Sequence, residues 1–366
     1  MTTHTPATVA EITPEWLTAA LRESGTISEA SVTALNSEPV GVGVGLLGEL
    51  ARIELTYDRP ETGAPASLVA KLPTQDAGGR GLATFMGFYE NEARFYRELA
   101  AISPMRPPRA YHVSADAASD RYALLLEDLS GLRGGDQVAG MTVAEARIVL
   151  REFARFHAKW WDKVEASGLD WVPGIDHHRM GVLAMGYSAA VGGFMERFGD
   201  RLSSAERSLA EGFGPQFQAV ANLTNHGSVT ICHGDARMDN IFFGSTDGGA
   251  PITLVDWQII VQAPGTYDIG YMLSQSLDSA DRKREEESLL REYHAELVAN
   301  GVNSYPWERC WEDYRAIVLY CLVYPVFAGG AVEPANERGA RLVEVLSERA
   351  FAAIRDLHCV ELLDHI

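Results

Sequence analysis

Residues 231–243 read I-C-H-G-D-A-R-M-D-N-I-F-F, a polar loop boxed between apolar runs. His233, Gly234 and Asp235 stand together, and Asn240 follows Asp235 by five positions. Ile231 on one side and Ile241, Phe242 and Phe243 on the other anchor such a loop at the edge of a core. A short loop pinned at both ends lets the Asp and Asn side chains face one place. The next stretch, I-F-F-G-S-T-D-G-G-A-P-I-T-L-V-D-W, reads as a hairpin with S-T-D-G-G-A-P as its turn. Its second strand ends at Asp256, sixteen residues after Asn240. Asn240 and Asp256 are hard oxygen donors of the kind Mg²⁺ takes.

The rest of the chain must supply that loop with a core. Residues 14–23, P-E-W-L-T-A-A-L-R-E, read as an amphipathic helix, and residues 31–72 as strands. A-R-I-E-L-T-Y (51–57) alternates, with Ala51, Ile53, Leu55 and Tyr57 on one face. S-L-V-A-K-L-P is a second strand, residues 85–101 look helical, and Y-A-L-L-L-E-D-L-S-G (122–131) is a strand running into a connector. Beyond about residue 140 the helical period dominates, starting from a capping box at Thr142 and Glu145. Val149, Leu150, Phe153, Phe156, Trp160 and Trp161 make one wide apolar face. The expected domains are residues 1–127, rich in strands, and 128–366, rich in helices.

G-V-G-V-G-L-L-G (41–48) holds G-x-G-x-x-G at Gly43, Gly45 and Gly48. In a dinucleotide-binding fold that pattern opens a helix. Here E-L-A-R-I-E-L-T-Y follows with period two, and a helix would put Arg52 and Glu54 among its apolar positions. A glycine loop over a β-hairpin fits better, of the sort that covers nucleotide phosphates. No Walker-type G-x-x-x-x-G-K-[ST] occurs.

Only four of the 31 basic residues are lysines. Lys159, Lys163 and Lys283 lie in helical, charged surroundings, whereas Lys71 sits inside the apolar strand S-L-V-A-K-L-P. A compact charge there suits a phosphate, and by itself it equally suits a solvent-facing strand position. Its carboxylate partner is expected on the following helix. Glu92 shares the face of Phe88, Phe95 and Leu99, while Glu90 points away.

Composition sets bounds. A net charge of −19 and a pI near 4.9 argue against nucleic acid and anionic membrane as partners. Cys232, Cys310, Cys321 and Cys359 form no C-x-x-C pair, which signals neither a zinc site nor a redox motif and points to a reduced, cytoplasmic chain. The N-terminus shows neither a basic n-region nor an apolar h-region. The uncharged stretch 316–332 is short and interrupted by Pro325 and by Gly329 and Gly330, so it reads as a core helix rather than a membrane span.

An aspartate followed at +5 by an asparagine is the catalytic-loop spacing of kinases, and Asp256 stands where the D-F-G aspartate stands. H-G-D-x-x-x-x-N and D-W resemble the aminoglycoside phosphotransferase and choline kinase superfamily. F-Y-x-x-E-x-R-F-Y-R-E-L, L-L-L-E-D-L and V-D-W…Y-D-I-G further resemble its ecdysteroid kinase-like branch, over about residues 31–290. Gly48 departs from the serine that many relatives carry. The resemblance implies an α+β, bilobal, protein-kinase-like fold and transfer of the γ-phosphate of ATP to a small hydroxylated substrate. It makes Asp235 the catalytic aspartate, assigns Mg²⁺ to Asn240 and Asp256, and gives the ATP phosphates to Lys71, braced by Glu92, and to Gly43, Gly45 and Gly48. Glu127 to Leu129 would present hinge backbone groups to adenine. His233 would brace the loop, Asp268 would cap a helix and steady the loop, Asp239 would be a surface residue and His157 a core histidine. Trp160, Trp161, Trp171, Tyr320 and Tyr324 line an acceptor pocket or fill the core. The alternative is a kinase-like nucleotide-binding module without turnover.

Overall fold

The computed structural model describes residues 4–41, 47–116, 118–175, 179–225, 227–331 and 337–366. The chain forms two compact units, Met1–Arg133 with Gly244–Ile259, and Gly134–Phe243 with Ile260–Ile366. A single boundary after residue 127 was expected. The first unit instead runs on to Arg133 and takes back Gly244–Ile259. The returning strand Ile252–Leu254 is held there by Leu254 N–H on the Arg106 carbonyl at 2.9 Å. That bond joins residues far apart in sequence, so no local pattern announces it.

In the first unit, Thr13 caps α1 (Pro14–Glu23) by accepting the Trp16 N–H, and Pro14 opens the helix where its missing N–H costs nothing. Five strands follow: β1 (Val32–Pro39), β2 (Gly48–Tyr57), β3 (Ser67–Pro73), β4 (Ala110–Asp116) and β5 (Arg121–Glu127). They form an antiparallel sheet in the order β1-β2-β3-β5-β4. Ile53, Leu68, Ala70, Leu72 and Leu125 pack with Trp16, Leu17, Ala20 and Leu21 of α1. Side chains alternate along a strand, so Lys71 lies on the opposite face from Ala70 and Leu72.

The helix expected over 85–101 is several pieces. α2 (Ala77–Phe85) ends before Gly87, whose φ of +67° breaks the run, and α3 (Phe88–Arg94) continues into a π-helical turn at Phe95–Leu99. Phe88, Phe95 and Leu99 are buried as their spacing predicts, and Glu92 is buried with them at 2% exposure.

The second unit holds α4 (Val143–Trp160), with the expected capping box at Thr142 and Glu145. α5 (Arg179–Phe198), α6 (Ser204–Gly212) and α7 (Phe217–Asn222) precede the polar segment 231–243. After it come α8 (Thr266–Ser276), α9 (Ser279–Ala299), α10 (Trp307–Tyr320), α11 (Val323–Ala331) and α12 (Glu337–Asp356). Every residue of α8 is buried, with α4, α9, α10 and α12 packed on it. The uncharged stretch from residue 316 is two helices, α10 and α11, rather than one. Ala316 to Val323 are buried, so the protein's own interior covers them. Pro325 falls in the first turn of α11, where a helix tolerates it.

Candidate active site

Lys71 reaches from β3 to α3. Its Nζ lies 2.7 Å from Glu92 Oε2 and 2.8 Å from Asp256 Oδ1. Burial opposes the ammonium's charge, but the carboxylates of Asp256 and Glu92 outweigh it and push the Lys71 pKa above its ordinary value. Burial raises the Glu92 carboxyl although Lys71 pulls it down. The pair expected from helix spacing therefore forms, and Asp256 joins it.

Asp256 follows the strand Ile252–Leu254 and has φ +67°, a left-handed conformation that aspartate tolerates better than most residues. Trp257 and Gln258 hold that turn on α3 and the π turn. The Trp257 ring stacks on Phe95 and its indole N–H donates to the Leu254 carbonyl at 2.9 Å. Asn91 Nδ2 donates to the Gln258 carbonyl at 3.2 Å.

On either side of the glycine-rich segment β1 and β2 pair, and the Val40 N–H donates to the Leu50 carbonyl at 3.0 Å. A strand follows it, not a helix, which removes the dinucleotide-binding alternative. Gly43 and Gly45 lie outside the described residues. Gly48 opens β2, and a Cβ placed on it would sit 3.6 Å from Lys71 Cε.

Glu127 ends β5, and its backbone N–H donates to the Arg109 carbonyl at 2.8 Å. Its carboxylate gathers Arg106 at 3.1 Å, the Arg109 N–H at 2.9 Å and the Thr246 hydroxyl. The Leu129 carbonyl accepts the Leu132 N–H at 2.9 Å. Between them, Asp128 accepts from Ser67 Oγ at 2.6 Å, Arg52 Nε at 2.7 Å and the Ser130 N–H at 2.9 Å. Burial works against its charge, yet these bonds hold the Asp128 pKa down to about 2. The sequence reading missed this clasp.

In the second unit, the loop leaves the short strand Thr230–Cys232, which pairs with Val261–Ala263. Gly234 has φ +89°, a conformation that favours glycine. Asn240 Nδ2 donates to the Asp235 carbonyl at 2.9 Å and to Asp235 Oδ2 at 3.0 Å. The Asn240 amide nitrogen is thus committed to Asp235, which leaves its oxygen as the donor a cation would use. Amide and carboxylate oxygens are hard donors, of the kind that suits Mg²⁺ rather than a thiophilic metal.

Asp268, in the first turn of α8, holds the loop by its backbone. Its Oδ2 accepts the His233 N–H at 2.8 Å and its Oδ1 the Gly234 N–H at 2.9 Å. The N-cap of α8 is Gly265, so Asp268 steadies the loop without capping the helix. His233, fully buried, accepts the Asp235 N–H through Nδ1 at 3.2 Å.

His157 is a core histidine, bonded to the Tyr293 hydroxyl at 2.8 Å and to Asp268 at 3.1 Å. The fold also brings Cys232 there, and the ligand atoms of His157, Cys232 and Asp268 lie within 4.8 Å of one another. Each of these atoms is already engaged, because Cys232 Sγ donates to the Pro264 carbonyl at 3.4 Å. Burial pushes the Cys232 thiol well up, so the cluster reads as a brace rather than a metal site. A Cβ on Gly265 would meet the Tyr293 hydroxyl at 2.2 Å, which shows how closely it is packed.

Asp239 is not the surface residue expected. Its side chain is 7% exposed, and its Oδ1 accepts the Gln137 N–H at 2.9 Å and Arg338 at 3.1 Å. Of the five aromatic candidates, Trp160, Trp161 and Tyr320 are core, and Trp171 and Tyr324 are half-buried. Tyr324 stacks on Tyr271 with centroids 4.4 Å apart. Burial, then the nearby Asp235 charge, raises the Tyr271 hydroxyl pKa. Tyr271 was missed, although it lies three residues after Asp268 and so on the same helix face.

A sequence model of the ecdysteroid kinase-like family matches residues 43–160 and 185–302. No curated protein matches in sequence. Among solved structures, a choline kinase from Cryptosporidium parvum Iowa II is similar with a TM-score of 0.57 at 9% identity, over 95% of this chain and 96% of that one. The GDP complex of wild-type aminoglycoside 2'-phosphotransferase-IIIa gives 0.54 at 14% identity, over 92% and 97%. A putative aminoglycoside phosphotransferase from Ralstonia eutropha JMP134 gives 0.51 at 16% identity, over 93% and 97%. At such identities the likeness is one of fold, the α+β protein-kinase-like fold.

Proposed function

Because the chain belongs to the ecdysteroid kinase-like family of kinase-like phosphotransferases, we propose that it transfers the γ-phosphate of ATP to a hydroxyl of a small molecule. The observation that carries this reading is the buried Lys71 ammonium, held at 2.7 Å by Glu92 and at 2.8 Å by Asp256. A cation placed so firmly on a strand beside a glycine loop suits the phosphates of a nucleotide.

In this reading Lys71 binds the ATP phosphates and Glu92 fixes its direction, with Gly43, Gly45 and Gly48 giving backbone N–H groups to the same phosphates. The Glu127 carbonyl and Leu129 N–H orient the adenine. Asp235 receives the proton of the acceptor hydroxyl and aligns its oxygen with the γ-phosphorus. Asn240 and Asp256 would hold Mg²⁺, which when bound neutralises charge on the β- and γ-phosphates.

The acceptor is a small molecule, because eleven residues separate Asp256 from Asp268 and leave no segment to support a peptide. The net charge of −19 makes nucleic acid an unsuitable partner. All four cysteines are buried thiols, which fits a chain working in the cytoplasm.

The test is incubation with labelled ATP and Mg²⁺ against amino sugars, choline-like alcohols, macrolides, sterols and generic protein substrates. Label is expected in a small alcohol with the wild type and not with Asp235→Asn, which should still bind Mg·ATP. Label in protein but in none of the small molecules overturns the reading.

A further inference from the structure

Within the second unit, α8 meets the polar loop with two side chains from one face. Asp268, in its first turn, accepts the His233 N–H at 2.8 Å and the Gly234 N–H at 2.9 Å. Tyr271 follows three residues later on the same face, and its hydroxyl donates to the side chain of the next loop residue, Asp235. One helix thus holds the loop's backbone at 233 and 234 and its carboxylate at 235.

The other donors to the Asp235 carboxylate come from the loop itself. Asn240 Nδ2 reaches Oδ2 at 3.0 Å and Arg237 Nε reaches the same oxygen at 3.2 Å. Donors two and five residues along the chain move with the loop and set the carboxylate only relative to it. Tyr271 belongs to a helix whose every residue is buried, so it ties the carboxylate to the core. Its ring is 5% exposed and stacks on Tyr324 of α11, with centroids 4.4 Å and planes 19° apart, which fixes where the hydroxyl points. Burial, then the Asp235 charge, raises the hydroxyl pKa, so the group keeps its proton and remains a donor.

We infer that Tyr271 is a positioning residue, which by donating to Asp235 from the buried helix α8 holds that carboxylate in the orientation that receives the acceptor's proton. This rests on the phosphotransferase reading above. Tyr271 keeps its own proton and adds no step to the transfer. Its effect is geometric: a group that takes a proton must lie within hydrogen-bond reach of it, and a small misplacement costs rate rather than binding. A hydrogen bond to an ionised acceptor is also stronger and more directional than one between neutral groups.

The test compares Tyr271→Phe, which keeps the ring and its stack, with Tyr267→Phe. The second variant makes the same deletion one turn earlier on α8, at a buried hydroxyl that meets Tyr324. Steady-state kinetics with ATP and an alcohol that the wild type phosphorylates, calorimetric binding of Mg·ADP and thermal unfolding are measured for all three proteins. Tyr271→Phe should lose kcat by on the order of 10-fold, the effect of one hydrogen bond to a charged group. Its KM for ATP and its affinity for Mg·ADP should hold, and its melting temperature should match that of Tyr267→Phe. Tyr267→Phe should keep the wild-type kcat.

A Tyr271→Phe protein with the wild-type kcat overturns this inference alone. So does an equal fall of kcat in both variants, which would trace the loss to the packing of α8. A fall of kcat that comes with weaker Mg·ADP binding and a lower melting temperature than Tyr267→Phe makes Tyr271 a structural partner and also overturns it. A wild type that phosphorylates no alcohol overturns the phosphotransferase reading itself, and this inference with it.

Discussion

Phe95 lies face to face on Trp257, with ring centroids 3.9 Å apart and planes within 7°. This stack fixes the turn that presents Asp256 to Lys71. Trp257 is fully buried, so Trp257→Ala should cost about 3–5 kcal/mol of stability. Nucleotide affinity should fall with it, and Trp257→Phe should recover most of both. Urea unfolding and nucleotide titration provide the check; an alanine variant that keeps its affinity would show that the stack does not position Asp256.

Removing Lys71 should do two separable things. Lys71→Ala leaves Glu92 buried without its cation and should cost about 3–5 kcal/mol. It should also abolish ATP use, whereas Lys159→Ala and Lys163→Ala should not. The double variant Lys71→Met with Glu92→Gln should regain stability but not turnover. Identical ATP kinetics in all the lysine variants would reduce Lys71 to a strand residue.

Asp256→Asn should abolish Mg²⁺-dependent ATP binding while leaving the melting temperature close to that of the wild type. The amide keeps the size of the side chain but loses the charge that faces Lys71 at 2.8 Å. Calorimetric titration of ATP with and without Mg²⁺ reads this directly. Unchanged affinity with unchanged metal dependence refutes the assignment.

Asp268→Asn should slow turnover by roughly 10–100-fold with little change in KM for ATP. One carboxylate oxygen accepts the His233 N–H and the other the Gly234 N–H, and an amide can accept at only one of them. Amide NMR shifts of His233 and Gly234 should move in the variant. Unmoved shifts, or a change in KM alone, would mean that Asp268 does not set the loop.

Asp128 should make the first unit acid-sensitive. Its pKa falls from an ordinary 3.8 to about 2 in the folded chain. The stability it contributes, at most about 2 kcal/mol, is therefore present above pH 4 and lost as pH falls towards 2. Asp128→Asn should flatten the stability curve over that interval. A variant whose acid unfolding tracks the wild type removes Asp128 from the account.

The parts that local pattern encodes were legible. α1 falls on P-E-W-L-T-A-A-L-R-E, the capping box falls at Thr142 and Glu145, and β2 carries the expected alternation. Glu92 could be chosen over Glu90 because a helix repeats every 3.6 residues and Glu92 shares the face of Phe88 and Phe95. The π turn at Phe95 was not legible, since Phe95 stacks on Trp257, a residue far away in the sequence.

The order of charged and apolar residues along the chain determined which elements form and which side chains share a face, because those are consequences of periods of two and 3.6 residues. It therefore carried the Lys71–Glu92 pair and the Asp235–Asn240 spacing. Only the tertiary structure decided that Gly244–Ile259 returns to the first unit, that the Asp239 side chain is withdrawn from solvent, and that His157, Tyr293 and Cys232 gather behind Asp268. These contacts join residues tens to hundreds of positions apart. Their partners are selected by closure of the core and by the cost of leaving a buried polar group unbonded, and neither is written in a local period.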